Sequence, residues 1–313
     1  MIATERVRRP ADFAVARPPR AADSCVLCAG REAETPPPRL VVPDGTAREP
    51  WRVRVVPSKF PVLRAGGALE RRGEGLYDLM AGVGAHEVVV AAPAHETKLG
   101  DLPVATLDEL LEACRSRVLA LRDDARLRSA AVFMRHDPDA AGRARHPHWQ
   151  VLATPVVPRE ITDEIEHARA YHDYRERCVF CDMLRQEIDD GGRVVAANEH
   201  AVALAPFAAR VPFEVWMLPR RHAAAFESVG ERERRDVAAV LRTVVRKLDR
   251  AVGDPAFDLA LHGAPFGDAE SPSYHWHVEL LPRLPGGTAT VAGFFVNPLP
   301  PEDAARFLRD VPD

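Results

Sequence analysis

Apolar positions along this chain follow two different periods. The segments "HEVVVAAPAH" (86–95) and "FEVWMLPRRH" (213–222) are runs of β-branched and apolar residues that close on a histidine, and both read as buried strands. "HPHWQ" (146–150) and "HWHVE" (275–279) alternate instead. Successive strand side chains face opposite ways, so His146, His148 and Gln150 share one surface while Pro147 and Trp149 take the other. His275, His277 and Glu279 repeat the pattern. The longer period belongs to helices. "TLDELLEACRSRVLALRDDARL" places Leu110, Leu111, Cys114 and Val118 on one face, which makes Cys114 a core residue. "ITDEIEHARAYHDYRER" has an acidic start and a basic end that suit the helix dipole. "RRDVAAVLRTVVRKLDR" alternates charge with apolar residues at helical spacing, and a solvated helix face accounts for it better than a nucleic-acid patch. "TLDE" (106–109) and "SVGE" (228–231) have the form of capping boxes that open two of these helices. The proline-rich "ETPPPRLVVPDGTAREP" reads as an exposed loop.

These elements occur in the same order twice. "CVLC", the first strand and "HPHWQ" are followed by "CVFC", the second strand and "HWHVE". The chain therefore divides into a first half, residues 1–157, and a second, residues 158–313, joined by the "ITDEIEHARAYHDYRER" helix.

A length of 313 residues with 46% hydrophobic content supports a substantial core. The formal charge of −4 gives no general reason to expect nucleic acid as a partner. No apolar run approaches the roughly 20 residues of a membrane span, and the first residues lack the order of a signal peptide, so a cytoplasmic, membrane-free protein is expected.

Four of the five cysteines form the pairs Cys25/Cys28 and Cys178/Cys181. Each half adds two histidines, giving the ligand sets Cys25, Cys28, His95, His146 and Cys178, Cys181, His222, His275. Two thiolates and two imidazoles suit tetrahedral zinc, although iron is chemically admissible at the second set. A redox CxxC would need no matched histidines. Ligands spread over more than a hundred residues, as in the first half, hold a fold together and are not those of a nucleic-acid zinc finger.

With His146 committed to a metal, His148 sits two residues on, roughly 6 to 7 Å along the strand. A neutral imidazole whose other nitrogen is fixed by a backbone carbonyl can attack phosphorus and form a nucleotidyl-histidine. Gln150 on the same face can donate its amide hydrogens to the non-bridging phosphate oxygens. The basic "ERVRRP" offers Arg6 and Arg9 to phosphates. His277 is the counterpart of His148, but Glu279 stands where the glutamine would be, and His277 is read as structural or metal-proximal.

Over nearly its whole length the chain resembles the galactose-1-phosphate uridylyltransferases of the histidine triad superfamily. The similarity is carried by "IATERVRRP", "CVLC", "WRVRVVPSKFPVL", "HEVVVAAPAHETKLGDL", "HPHWQVLATPVVPRE", "CVFCDMLRQE", "PFAARVPFEVWMLPRRH", "YHWHVELLPRL" and "NPLPPEDAA", in family order. The resemblance implies an α+β fold of two tandem histidine-triad-like half-domains with antiparallel sheets flanked by helices, assembled as a homodimer. It implies double displacement between a nucleotide sugar and a sugar 1-phosphate, as in galactose metabolism. His148 would be the nucleophile and Gln150 the phosphate-binding residue, and zinc would be held by Cys25, Cys28, His95 and His146.

The chain also departs from the family pattern. Arg135, Asp137 and Arg143 stand where an asparagine, a glycine and a serine are expected near the phosphates, and Ser58 replaces a nucleotide-contacting asparagine. "PGGTATVAGFF" lacks the glutamate that binds sugar hydroxyls. Losing such a contact costs about 1 to 3 kcal/mol per group, which weakens the expectation of hexose specificity. Two other readings follow from these departures. One is a phosphorylase or hydrolase in which phosphate or water takes the nucleotidyl group. The other is a non-catalytic nucleotide-binding protein stabilised by zinc.

Overall fold

The first-half strands are β1 (Leu40–Val42), β2 (Val53–Pro57), β3 (Arg72–Glu74), β4 (Tyr77–Leu79), β5 (Ala85–Val90), β6 (Ser129–His136) and β7 (His148–Thr154). Those of the second half are β8 (Val194–Ala197), β9 (Ala201–Leu204), β10 (Val215–Pro219), β11 (Ala256–His262), β12 (His277–Arg283), β13 (Ala289–Val291) and β14 (Phe294–Val296). The helices are α1 (Val104–Arg122), α2 (Arg159–Arg175), α3 (Val179–Asp190), α4 (Glu231–Val252) and α5 (Pro301–Asp310). The computed structural model describes residues 25–43, 51–95, 97–139, 146–285, 289–291 and 294–312. The fold is α+β.

Among the described residues, ten strands form one antiparallel sheet in the order β1-β2-β5-β7-β6-β11-β12-β10-β9-β8. Five strands come from each half, in mirrored order, and the two sets fuse where β6 pairs with β11. Met134 stands opposite Leu259 and Arg135 opposite Asp258. The latter pair closes an ion pair at 2.9 Å across the seam, the favourable arrangement for opposite charges on facing strands.

The alternation of β7 decides what lies on each side. Trp149, Val151 and Ala153 are fully buried, and Trp149 and Val151 join Leu107, Leu110, Leu111 and Cys114 of α1 in the main core. Burying one such side chain contributes about 1.5 to 3 kcal/mol. α1 and α4 cover that face, with Arg234 of α4 buried on Asp108 and Glu112 of α1 at 2.6 Å. The charged residues of α4 are thus partly internal, since Arg234 is one of them and Lys247 caps the carbonyls of Arg309 and Val311. Burial pushes the Cys114 thiol up to about 12.

The opposite face is covered unequally. In the second half α2 and α3 pack Ile161, Ile165, Ala168, Phe180 and Leu184 on Val202, Leu204 and Leu218. In the first half the matching face carries a smaller cluster of Cys25, Leu27, Trp51 and Val90. Space remains beside it.

Three details differ from the sequence reading. α1 begins at Val104 after Pro103, so Thr106 lies inside the helix and "TLDE" does not cap it. α4 begins at Glu231 with Gly230 as its N-cap, and Glu233 reaches back to the Gly230 N–H at 3.4 Å, two residues later than "SVGE" implies. Before α4 the turn Phe226–Ser228 takes up Ser228, the residue expected to start it, whereas α1 starts earlier than expected because Pro103 serves as its N-cap. The proline-rich segment contains β1, an edge strand on β2. Its prolines flank the strand, where no ladder hydrogen bond is lost.

Candidate active site

Cys25 and Cys28 sit on one tight turn, closed by the Cys28 N–H on the Cys25 carbonyl at 3.3 Å. The Ala29 N–H donates to the Pro93 carbonyl at 3.0 Å and brings that turn to the segment leaving β5. His95 follows on this segment, and His146 lies just before β7. Cys28 Sγ is 3.7 Å from Nδ1 of both His95 and His146, and Cys25 Sγ is 3.8 Å from His146 Nδ1. The second set has the same arrangement, with Cys181 Sγ 3.4 Å from Nδ1 of His222 and of His275.

Zinc bound to sulfur and imidazole nitrogen with tetrahedral angles places those two atoms roughly 3.5 Å apart. Both donor sets fit such an ion. The outer nitrogens are fixed as a ligand would require. His146 Nε2–H donates to the Ala92 carbonyl at 2.7 Å, His275 Nε2–H to Pro219 at 3.0 Å, and His222 Nε2–H to Ser271 at 3.2 Å. Burial holds His146 down at about 4, so its ring is neutral near pH 7.

Beside the first set lies a pocket of about 350 Å³ lined by His148, Gln150, His86, Ser58, Lys59 and Arg135, among others. This volume lies within the range of small-molecule sites. His148 Nδ1–H donates to the His146 carbonyl at 2.7 Å. The neutral ring therefore carries its lone pair on Nε2. Gln150 stands two residues on and meets His86 at 2.9 Å. Of the residues singled out for substrate contact, Ser58 and Arg135 line the pocket, with Arg135 also engaged by Asp258. Arg6, Arg9 and Arg143 lie outside the described residues. Lys59 and His86 were not singled out from the sequence. The signal available for Lys59 was its place beside Ser58, and for His86 its place at the head of a strand noted only for its last residue.

The matching position in the second half is filled. Trp216 stands opposite Glu279 as Val88 stands opposite Gln150. Phe180 of "CVFC" takes the place of Leu27 of "CVLC". Trp216 and Phe180 lie 5.0 and 5.2 Å from the His277 ring, which is completely buried. The ring belongs to a cluster with Glu164, His262 and Glu279, whose ligand atoms all lie within 4.8 Å of one another. His262 bonds Glu164 at 2.9 Å, Tyr274 donates to Glu164 at 2.8 Å, and Arg210 pairs with Glu279 and Glu214.

Comparison with known proteins agrees with this architecture. The family model for the galactose-1-phosphate uridyl transferase C-terminal domain matches residues 164–296. An ADP-glucose phosphorylase of Arabidopsis thaliana is 29% identical over 98% of this chain and 88% of its own. A galactose-1-phosphate uridylyltransferase of Thermotoga maritima is 30% identical over 72% of this chain and 74% of its own. The crystal structure of an Arabidopsis thaliana ADP-glucose phosphorylase with bound ADP-glucose superposes with a TM-score of 0.79 at 26% identity, covering 95% of this chain and 92% of that one.

Proposed function

The chain belongs to the galactose-1-phosphate uridylyltransferase family, and we propose that it transfers a nucleotidyl group from a nucleoside diphosphate sugar by way of His148. His148 Nε2 attacks the α-phosphorus, a P–N bond forms, and the bond to the bridging oxygen breaks as the sugar 1-phosphate leaves. An oxygen of an acceptor phosphate then attacks the same phosphorus, the P–N bond breaks, and the neutral imidazole is restored. The hydrogen bond from His148 Nδ1 to the His146 carbonyl carries this reading, because it sets the tautomer that attack requires. Gln150 steadies the non-bridging oxygens, and Ser58, Lys59 and Arg135 hold the rest of the donor, with Arg6, Arg9 and Arg143 assigned to phosphates.

A zinc ion in each Cys2His2 set would act structurally, the first by holding the Cys25–Cys28 turn and the start of β7 together. Iron is an alternative at the second. The same reading divides the chain after residue 157 into tandem half-domains and takes the working protein to be a cytoplasmic homodimer.

The donor and acceptor are open to a second reading. Alignment with an ADP-glucose phosphorylase runs through 98% of this chain, against 72% for the uridylyltransferase, which favours ADP-glucose as donor and inorganic phosphate as acceptor. Intact-mass spectrometry after incubation with UDP-glucose, GDP-glucose or ADP-glucose tests both. An adduct of one nucleoside monophosphate on His148 is expected, and its mass names the base. A chase with phosphate yields a nucleoside diphosphate in the phosphorylase case, and a chase with a hexose 1-phosphate yields a new nucleotide sugar in the transferase case. A His148→Ala protein that still acquires the adduct would overturn the proposal.

A further inference from the structure

We propose that His86 is a positioning residue that sets which end of the Gln150 amide faces the pocket. The inference rests on the reading in which Gln150 serves the phosphates. Its starting point is a backbone donor. The Val62 N–H points at His86 Nδ1 at 3.3 Å, and a peptide N–H can only donate. His86 Nδ1 is therefore the acceptor, and the neutral ring carries its proton on Nε2. That nitrogen lies 2.9 Å from Gln150 Oε1, so it donates there and requires an acceptor in return. The oxygen of the amide meets this need and its NH2 group does not, which turns the NH2 end away from His86. A glutamine held this way keeps donors for phosphate oxygens. The reverse orientation would present a carbonyl oxygen to an anion.

Histidine suits this relay because its ring accepts at one edge and donates at the other across a rigid spacing. The main chain of His86 is held as well, since its carbonyl accepts the Ser58 N–H at 2.8 Å. The pocket segment from Ser58 to Val62 and the Gln150 amide are thus joined through one imidazole. Glu214, at the matching place just before β10, bonds Trp216 Nε1 at 3.0 Å and pairs with Arg210, so the relay belongs to the open half.

Full removal of a preorganised donor costs on the order of 10²- to 10³-fold in rate, and loss of its orientation alone is expected to cost about tenfold. The experiment compares His86→Ala and His86→Gln with the parent protein in single-turnover adduct formation, alongside nucleotide-sugar affinity. His86→Ala is expected to slow adduct formation about tenfold with affinity changed less than about threefold, and His86→Gln, which restores a donor, to recover most of the rate. An unchanged rate in His86→Ala, or rate and affinity falling together without rescue, would overturn the inference. Nitrogen-15 NMR of the parent protein supplies an independent readout: an Nε2–H tautomer for His86 is expected, and an Nδ1–H tautomer sinks it. If the parent protein forms no adduct, the functional reading fails, while the tautomer still decides whether the relay exists.

Discussion

Trp216 lies nearly flat on His277, ring centroids 5.0 Å apart and planes 27° apart, and this contact separates the sealed half of the protein from the open one. Where the second half places an indole opposite Glu279, the first places Val88 opposite Gln150. Phe180 closes the other side of His277, and Leu27 in the corresponding place lines the pocket. Two small-for-large exchanges leave one histidine of the pair accessible to a ligand.

The two histidines should therefore respond oppositely to removal. His277→Ala opens a void among Trp216, Phe180 and His262, and a loss of about 2 to 4 kcal/mol is expected in denaturant unfolding, with adduct formation kept in the folded fraction. His148→Ala, at the pocket wall, should leave stability within about 0.5 kcal/mol of the parent and abolish the adduct.

Metal analysis of the purified protein should find two ions per chain, falling to one in either Cys28→Ser or Cys181→Ser. The first set holds His146, whose carbonyl fixes the His148 tautomer, so Cys28→Ser should slow adduct formation by about 10- to 100-fold. Cys181→Ser should instead lower the melting temperature and leave the adduct rate of folded protein within about threefold. Equal kinetic losses in the two variants would contradict the division of roles.

Stability should depend on pH through the sealed cluster. Burial works to lower the His262 pKa, but the Glu164 hydrogen bond and the Glu279 and Glu164 charges outweigh it and hold the ring above its ordinary value. The His262 contribution is then full below about pH 6.5 and is lost as pH rises through the raised value. Glu279 runs the other way: burial raises it, but the His262, His277 and Arg210 charges around it bring it down to about 2. Its contribution is present above 4.5 and fades as pH falls towards 2. Denaturation midpoints of the parent and His262→Asn should converge as pH is raised from 6 to 9; a gap that widens would refute this assignment.

Gly84 stands two residues before His86, and a Cβ there would lie 2.3 Å from the Ala153 carbonyl oxygen and 2.6 Å from Leu63 Cδ1. Backbone cannot yield that far without β5 moving off β7. Gly84→Ala is expected to cost about 1 to 3 kcal/mol, and the displacement of His86 should add a loss of adduct rate beyond that of the unfolded fraction, checked by single-turnover kinetics at a temperature where the variant is fully folded.

The α+β class, the strands carrying His148 and His277 and the helix over 159–175 were legible in the sequence because periodicity reports which side of an element is apolar. The repeated order of cysteines and histidines likewise marked eight donors that the fold draws into two sets. Periodicity is silent on what stands across a strand. Counted back from His95 and His222, Val89 matches Trp216, whereas the ladder sets Val88 and Trp216 in equivalent places, a shift of one residue that puts His86 on the pocket face. A one-residue change of register exchanges the two faces of a strand, and register is decided by hydrogen bonds between segments far apart in the chain. For the same reason the fusion of two half-sheets through β6 and β11, the edge strand β1 and the filling of the second-half pocket by Trp216 and Phe180 were settled by tertiary packing.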